Sequence, residues 1–501
     1  MAAVRAAGRV PLAVALGVPI GVLVAAGFAQ LGTVALAVPV GALALAALAL
    51  HPRATLALLV SVVVVFEEDV ETFMAFPQIY TALPGPLRLT DFLMLALACG
   101  VVLRLTRGGE PFRMPGLLLL PLLLLAAAIV MGAIVAFGGE VDPSALSGAL
   151  RDLTSLAVLP FLVVNIVTTR QDLDAAIKVA FALVVFKTAT GAIGYVLGVG
   201  RVVEGTVLTY YSPSANLLLL GFLLALLAAR MSRVKIPAVV WCVAPFALAV
   251  LILSFRRNFW IALVVGVVVV VLVATGRNGR ALLIPAGAVF VAALYVGLTT
   301  LATSESDSPV VERVQSLAPT QLQTNAYERY RIDEQRNVRA EIATSPLTGI
   351  GLAVPWRARY PLAITFPGAR DYTHVVVLWY WLKLGLVGLL AYLCLIGAAV
   401  RSGLAVWRRA PDPVMRSVGL AAGVSFLALA VAETTGSFLG VGTRLTVLAA
   451  IGLGCLAAAW LQLPSKAPSE PPPAQRCAIG GDRARPAHGR SALSPERPGP
   501  P

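Results

Sequence analysis

The chain has 501 residues, 58% hydrophobic and only 13% charged, with a mean hydropathy of +0.87. That charged fraction is about half that of a soluble domain, which excludes an ordinary soluble enzyme. The formal charge of +14 does not make nucleic acid an expected partner, because Lys and Arg gather in short connections between apolar runs, as membrane orientation requires.

Arg5 and Arg9 precede the first apolar run, 10–29. It reads as an uncleaved helix, although Gly27-Phe28-Ala29 resembles a small-residue cleavage site, because a second run follows almost at once. Further spans are expected at 31–50, 54–66, 90–106, 116–137, 150–167, 175–199, 213–229, 236–254, 259–275, 281–301, 374–400, 416–432 and 441–461. The run 54–66 is short for a crossing. A β-barrel would alternate apolar and polar residues, and runs such as 117–135 do not. The expected fold is therefore an all-α polytopic membrane protein with about 12–14 transmembrane helices and one large external (periplasmic) loop containing helices. Residues 1–301 form the N-terminal membrane helices, 302–373 the external catalytic loop, 374–461 the C-terminal membrane helices, and 462–501 a disordered cytoplasmic tail rich in Pro, Gly, Ser and Arg. Four of the five cysteines (Cys99, Cys242, Cys394, Cys455) lie in apolar runs and Cys477 in the tail, without metal or disulfide spacing.

With the N-terminus in the cytoplasm, alternation places Arg53, Arg104, Arg107, Arg113, Arg170, Arg230, Arg233, Lys235, Arg277, Arg280, Arg401, Arg408, Arg409 and Arg416 inside. The opposite loops are acidic, with Glu67, Glu68, Asp69, Glu71, Glu140 and Asp142. Two places break the pattern. One is the short outer turn Ser254-Phe255-Arg256-Arg257-Asn258. The other is the segment 302–373, with Arg313, Arg329, Arg331, Arg336, Arg339, Arg357, Arg359 and Arg370. A long loop is translocated whatever its charge, but a tight hairpin is not covered by that. Outer arginines suit an anion at the membrane surface.

Within the external segment a helix is expected from Asn325 to about Thr344, with Asn325 as N-cap and Glu328 in the capping-box position, ended by Ser345-Pro346. Pro346-Leu347-Thr348-Gly349-Ile350-Gly351 reads as a tight turn that would bring backbone close to a ligand. Trp356, Tyr360, Phe366 and Tyr372 suit an interfacial belt. His374 opens the next span, where a lone histidine serves structure or capping as readily as catalysis. Lys187, near mid-span, is either functional or a paired structural lysine. Glu433 and Arg444 flank the last outer turn, and Arg151-Asp152 stand at an outer helix start; each of these pairs lines a cavity or pairs with a neighbour.

Three stretches carry a family likeness. Ser-Phe-Arg256-Arg257-Asn-Phe-Trp260 at a span start resembles the Ser-Arg-Gly-x-Trp/Leu opening of the O-antigen ligase and O-antigen polymerase family, with Arg257 on the family arginine. Arg331, fifteen residues before the proline of Pro346-Leu-Thr-Gly-Ile-Gly351, resembles the arginine of that family's large periplasmic loop. His374 with Leu378 and Leu384-Gly385-Leu386-Val387-Gly388 resembles its His-Asn-x-x-Leu…Leu-Gly-x-x-Gly helix start. The likeness covers about 250–390. It departs at Asn258 (usually Gly), Gln335 (usually Trp) and Val375 (usually Asn).

The resemblance implies a metal-independent integral-membrane glycosyltransferase in the inner (cytoplasmic) membrane, needing no cofactor. Its donor would be a glycan on undecaprenyl diphosphate and its acceptor a lipid, glycan or protein, with membrane lipid as a further partner. It gives Arg257 and Arg331 the diphosphate and His374 the acceptor proton. Arg256, Arg336 and Arg151 are secondary binding candidates. A polymerase of the same family would take a second lipid-linked glycan as acceptor. The rival from another class is a polysaccharide-lipid transporter or flippase, which would place ionisable residues along a midplane path.

Overall fold

A computed structural model of the chain describes residues 34–275 and 326–464, apart from 69–73, 78–79, 81–87, 109–110, 140, 200–201, 204–205, 208, 211, 363, 365–369 and 437. The expected spans at 10–29 and 281–301, the external loop up to Asn325, and nearly all of the tail lie outside the described residues.

In chain order the helices are α1 (Val34–Leu50), α2 (Pro52–Val65), α3 (Leu89–Gly108), α4 (Leu119–Phe137), α5 (Pro143–Ile166), α6 (Arg170–Val196), α7 (Pro213–Met231), α8 (Ala238–Ile252), α9 (Arg257–Ala274), α10 (Ala326–Ile342), α11 (Val376–Arg409), α12 (Pro413–Ala432) and α13 (Thr443–Leu461). Between α6 and α7 a two-residue antiparallel ladder pairs Val202 with Val207 and Val203 with Thr206. Among the described residues nine helices are long and apolar enough to cross a bilayer, ten if α1 and α2 form one span bent by 112°. The chain is an all-α polytopic membrane protein.

The helices begin where local chemistry allows. Pro stands in the first turn of α2, α5, α7 and α12, where its missing N–H costs nothing. Asp142 and Asp412 cap α5 and α12, and Thr169 with Asp172 forms a capping box on α6. Apolar residues cover both faces: on α4, Leu122, Leu125 and Ala128 are buried while Leu120, Val130 and Ile134 are exposed. Lipid leaves no polar face to select.

Cross-helix bonds sort the connections into two groups. In one, Arg53 pairs with Asp172, Arg104 donates to the Asn165 carbonyl and Thr168, Arg113 is held by Asn165 and Thr168, Arg170 pairs with Asp412, and Ser417 bonds Ser232. These are the connections that charge alternation puts on the cytoplasmic side. The other group contains the starts of α3, α5, α7, α9, α11 and α13, and it holds the site.

The short helix α2 is explained by its end. The last turn of a helix leaves carbonyls without intrahelical partners, and in lipid each must be met by protein. Arg444 donates to the carbonyls of Val63 and Val64, Lys187 to that of Val65, and the Tyr80 hydroxyl bridges those of Val62 and Phe66. The same two cations share the buried Glu67 carboxylate: Lys187 Nζ lies 2.5 Å from it and Arg444 forms a two-nitrogen pair with it. Lys187 is thus a paired lysine capping α2, with Tyr210 beneath its ammonium at 4.6 Å.

The helix α11 is broken at Gly385, whose φ of 66° and ψ of −164° are not helical. The Pro346–Gly351 turn docks into this break. Ile350 N–H donates to Leu382 O at 2.7 Å and Leu386 N–H to Leu347 O at 3.2 Å, while Leu352 N–H donates to Gly132 O of α4 at 3.0 Å. A Cβ on Gly385 would fall 2.1 Å from Leu347 O, and one on Gly349 2.6 Å from Gly385 N. The glycines expected from the turn are therefore required by backbone meeting backbone, not backbone meeting a ligand. Trp356, Val338, Ile342 and Leu382 form a small buried cluster that seats α10 on the start of α11.

Candidate functional site

One half of the site is the hairpin between α8 and α9. Ser254 Oγ donates to Leu251 O at 2.7 Å, and Phe255 takes a left-handed φ of 50°. Such a conformation costs a non-glycine residue about 1–3 kcal/mol and is held only where its surroundings fix it. Phe255 and Ser254 are buried. The turn places Arg256 at the N-cap of α9 and Arg257 at its first residue, both half-buried. Phe259 below them stacks with Phe438 at 5.9 Å, and the Arg256 guanidinium lies 5.6 Å from the same ring.

The other half is the end of the external segment. His374 is half-buried immediately before α11. Its backbone N–H donates to Glu334 Oε2 at 3.0 Å, and its ring Nδ1 lies 3.0 Å from the same oxygen. Glu334, on α10, is fully buried. Tyr330, one turn earlier on that helix, meets the imidazole edge-on at 6.0 Å, and Tyr372 lies 5.1 Å from it. Burial and the adjoining Glu334 carboxylate push the Tyr330 phenol up, so it stays protonated. Arg331 lies three residues before Glu334 and therefore on nearly the same helix face, half-buried.

A shared anchor brings the halves together. The Asn258 side chain donates to Ala432 O at 3.1 Å, and Val376 N–H donates to Glu433 O at 3.2 Å. Consecutive carbonyls at the end of α12 thus hold both the arginine hairpin and the residue two after the histidine. Glu433 itself is buried, accepting from Tyr392 Oη at 2.9 Å and from Leu439 N at 2.6 Å. This folds the following loop back and presents Phe438 to Arg256.

Two expected residues lie apart from this convergence. Arg336 is exposed on the opposite face of α10, its guanidinium 3.9 Å from the Tyr360 ring centre. Arg151 is paired with Asp91 at 2.8 Å, beside the contact of Asp152 with Thr443 at 2.7 Å. In the sequence Glu334 stands among the charges Arg331, Asp333, Arg336 and Arg339. Only its spacing from Tyr330 and Val338, one turn on either side, marks it as facing inward.

No group of three metal-ligating side chains occurs among the described residues. The one Asp-x-Asp triplet, Asp172-Leu173-Asp174, caps α6 and pairs with Arg53 and Arg170.

No curated protein matches the chain. Residues 218–393, about a third of the chain, match the family model described as O-Antigen ligase. The matched stretch contains Arg256, Arg257, Arg331, Glu334 and His374, and over these residues the chain is similar to the O-antigen ligase family.

Proposed function

We propose that the protein is a metal-independent glycosyltransferase that moves a glycan from undecaprenyl diphosphate to an acceptor hydroxyl at the outer face of the cytoplasmic membrane. The family match over residues 218–393 supports the coarser part, a multi-pass membrane protein with a glycan-transfer role in O-antigen biosynthesis. The observation that supports the finer part is the pair of consecutive carbonyls, Ala432 O and Glu433 O, which accept from Asn258 of the arginine hairpin and from Val376, two residues after the histidine.

In this reading Arg257 and Arg331 grip the diphosphate. Their planar forks match phosphate oxygens and stay charged at any working pH. As the bond between the anomeric carbon and the phosphate oxygen breaks, its electron pair stays on the diphosphate, where the guanidinium charges stabilise it. The acceptor oxygen forms the new bond to the anomeric carbon, and its proton passes to His374 Nε2. Arg256 adjoins Arg257 and adds charge to the same patch. Arg151, paired with Asp91, and Arg336, stacked on Tyr360, take no part in this step.

The test is transfer by purified protein from a lipid-diphosphate-linked glycan to its acceptor. Arg257→Ala and His374→Ala should each abolish it in protein that remains folded. Transfer that survives both changes refutes the assignment.

A further inference from the structure

We infer that Glu334 is a positioning residue that fixes the tautomer and direction of His374; the inference rests on the reading of His374 as the base. The family likeness does not include it, and three observations converge on it.

First, its carboxylate is fully buried and takes three contacts from one residue: Oε2 lies 3.0 Å from both the backbone nitrogen and Nδ1 of His374, and Oε1 lies 3.2 Å from Nδ1. A backbone N–H can only donate, so the carboxylate faces His374 as an acceptor. With the same oxygen accepting from the backbone N–H and facing Nδ1, the arrangement assigns the ring hydrogen to Nδ1. The other ring nitrogen, Nε2, is then the lone-pair nitrogen, which a general base needs.

Second, the ring cannot easily rotate away from this bond. Tyr330 closes one side edge-on and Tyr372 packs on another at 5.1 Å. The Tyr330 phenol, kept protonated by burial and by Glu334 itself, adds a further donor to the carboxylate.

Third, the two partners sit on different elements that are locked together independently of this contact. Val338 and Ile342, the next turns of α10, pack with Leu382 of α11. The carboxylate is therefore delivered to the imidazole by a seated helix. When His374 takes the acceptor proton, the charge that appears on the ring faces a negative group already in place, which needs no reorganisation. The arrangement is base, orienting carboxylate and aromatic wall, with the carboxylate supplied from the external helix, forty residues away in sequence.

The experiment uses the full chain in two arms. In the first, His51→Gln and His488→Gln leave His374 as the only histidine, and imidazole nitrogen NMR at mildly alkaline pH reads its tautomer. A protonated Nδ1 is expected; a protonated Nε2 would overturn the inference. In the second, Glu334→Gln keeps the shape and an acceptor oxygen but removes the charge. We expect kcat to fall about 10²-fold, within the range that acid–base assistance supplies, while KM for the lipid-linked donor is unchanged. A merely structural role would move thermal stability or KM instead. Transfer lost in His374→Ala but intact in Glu334→Gln overturns the inference alone. Transfer that survives His374→Ala overturns the base reading itself.

Discussion

Two groups of cations lie in the same group of helix ends, and they are built oppositely. Lys187 and Arg444 are buried with Glu67, and every donor direction is spent on that carboxylate, on the carbonyls at the end of α2, on Ser212 or on the Tyr210 face. Arg256, Arg257, Arg331 and His374 are half-exposed, and their supports come from beneath: an aromatic ring, a helix end, a buried carboxylate. The first group completes a helix that stops short. The second is only partly buried, at the start of α9, on α10 and just before α11. An ionisable residue within a membrane span is therefore not by itself a mark of function. What separates the two cases is burial: Lys187 and Arg444 are enclosed with Glu67, whereas Arg256, Arg257, Arg331 and His374 keep part of their surface exposed. A transporter would place ionisable residues along a midplane path; Lys187, near mid-span, is instead paired with Glu67.

The contrast can be broken by substitution. The largest effect should come from His374→Ala, which lowers kcat for transfer by about 10²–10⁴-fold, the usual contribution of a general base, with little change in thermal stability. Glu67→Ala should do the reverse. It strands two buried cations, at about 3–5 kcal/mol, and is read as a large drop in the unfolding midpoint in detergent. Should Glu67→Ala instead melt normally and lose transfer, the cluster belongs to the site and the contrast fails. Gly385→Ala should destabilise by at least about 1–3 kcal/mol, because it forces both a left-handed alanine and a Cβ against the Leu347 carbonyl; the same melt checks it. Lys187→Met leaves Arg444 matched one-to-one with Glu67 and uncaps only the Val65 carbonyl, so transfer per folded molecule should stay within about twofold. The smallest effect should be Arg336→Ala, which removes an exposed stacking contact worth about 0.5–1 kcal/mol and should shift donor KM no more than severalfold.

Much of this was legible beforehand. Long apolar runs report membrane helices because lipid tolerates little else, and the basic connections sorted themselves into one group as charge alternation requires. The hairpin arginines stood out because a tight outer turn has no orientational reason to carry them. Glu334 was not legible. On α10 it sits among Arg331, Asp333, Arg336 and Arg339, and nothing local distinguishes a carboxylate that faces solvent from one that faces a histidine forty residues later. The partner of Lys187 was hidden for the same reason: Glu67 lies 120 residues away, in a loop that read simply as acidic. The glycines of 346–351 were correctly read as a turn, but their reason lies in α11, because sequence spacing shows that a backbone must come close without showing to what.

The seam at Gly385 has a consequence for how the protein can be taken apart. The described part of the external segment is joined to α11 and α4 by main-chain bonds from Ile350, Leu352 and Leu386, and its small core borrows Leu382 from α11. It is not a module that rests on the membrane helices; part of its interior belongs to them. Expressed by itself as a soluble fragment, it would expose that seam and lose the histidine's support together with its own fold, so binders, inhibitors or crystals sought against this segment require the whole chain.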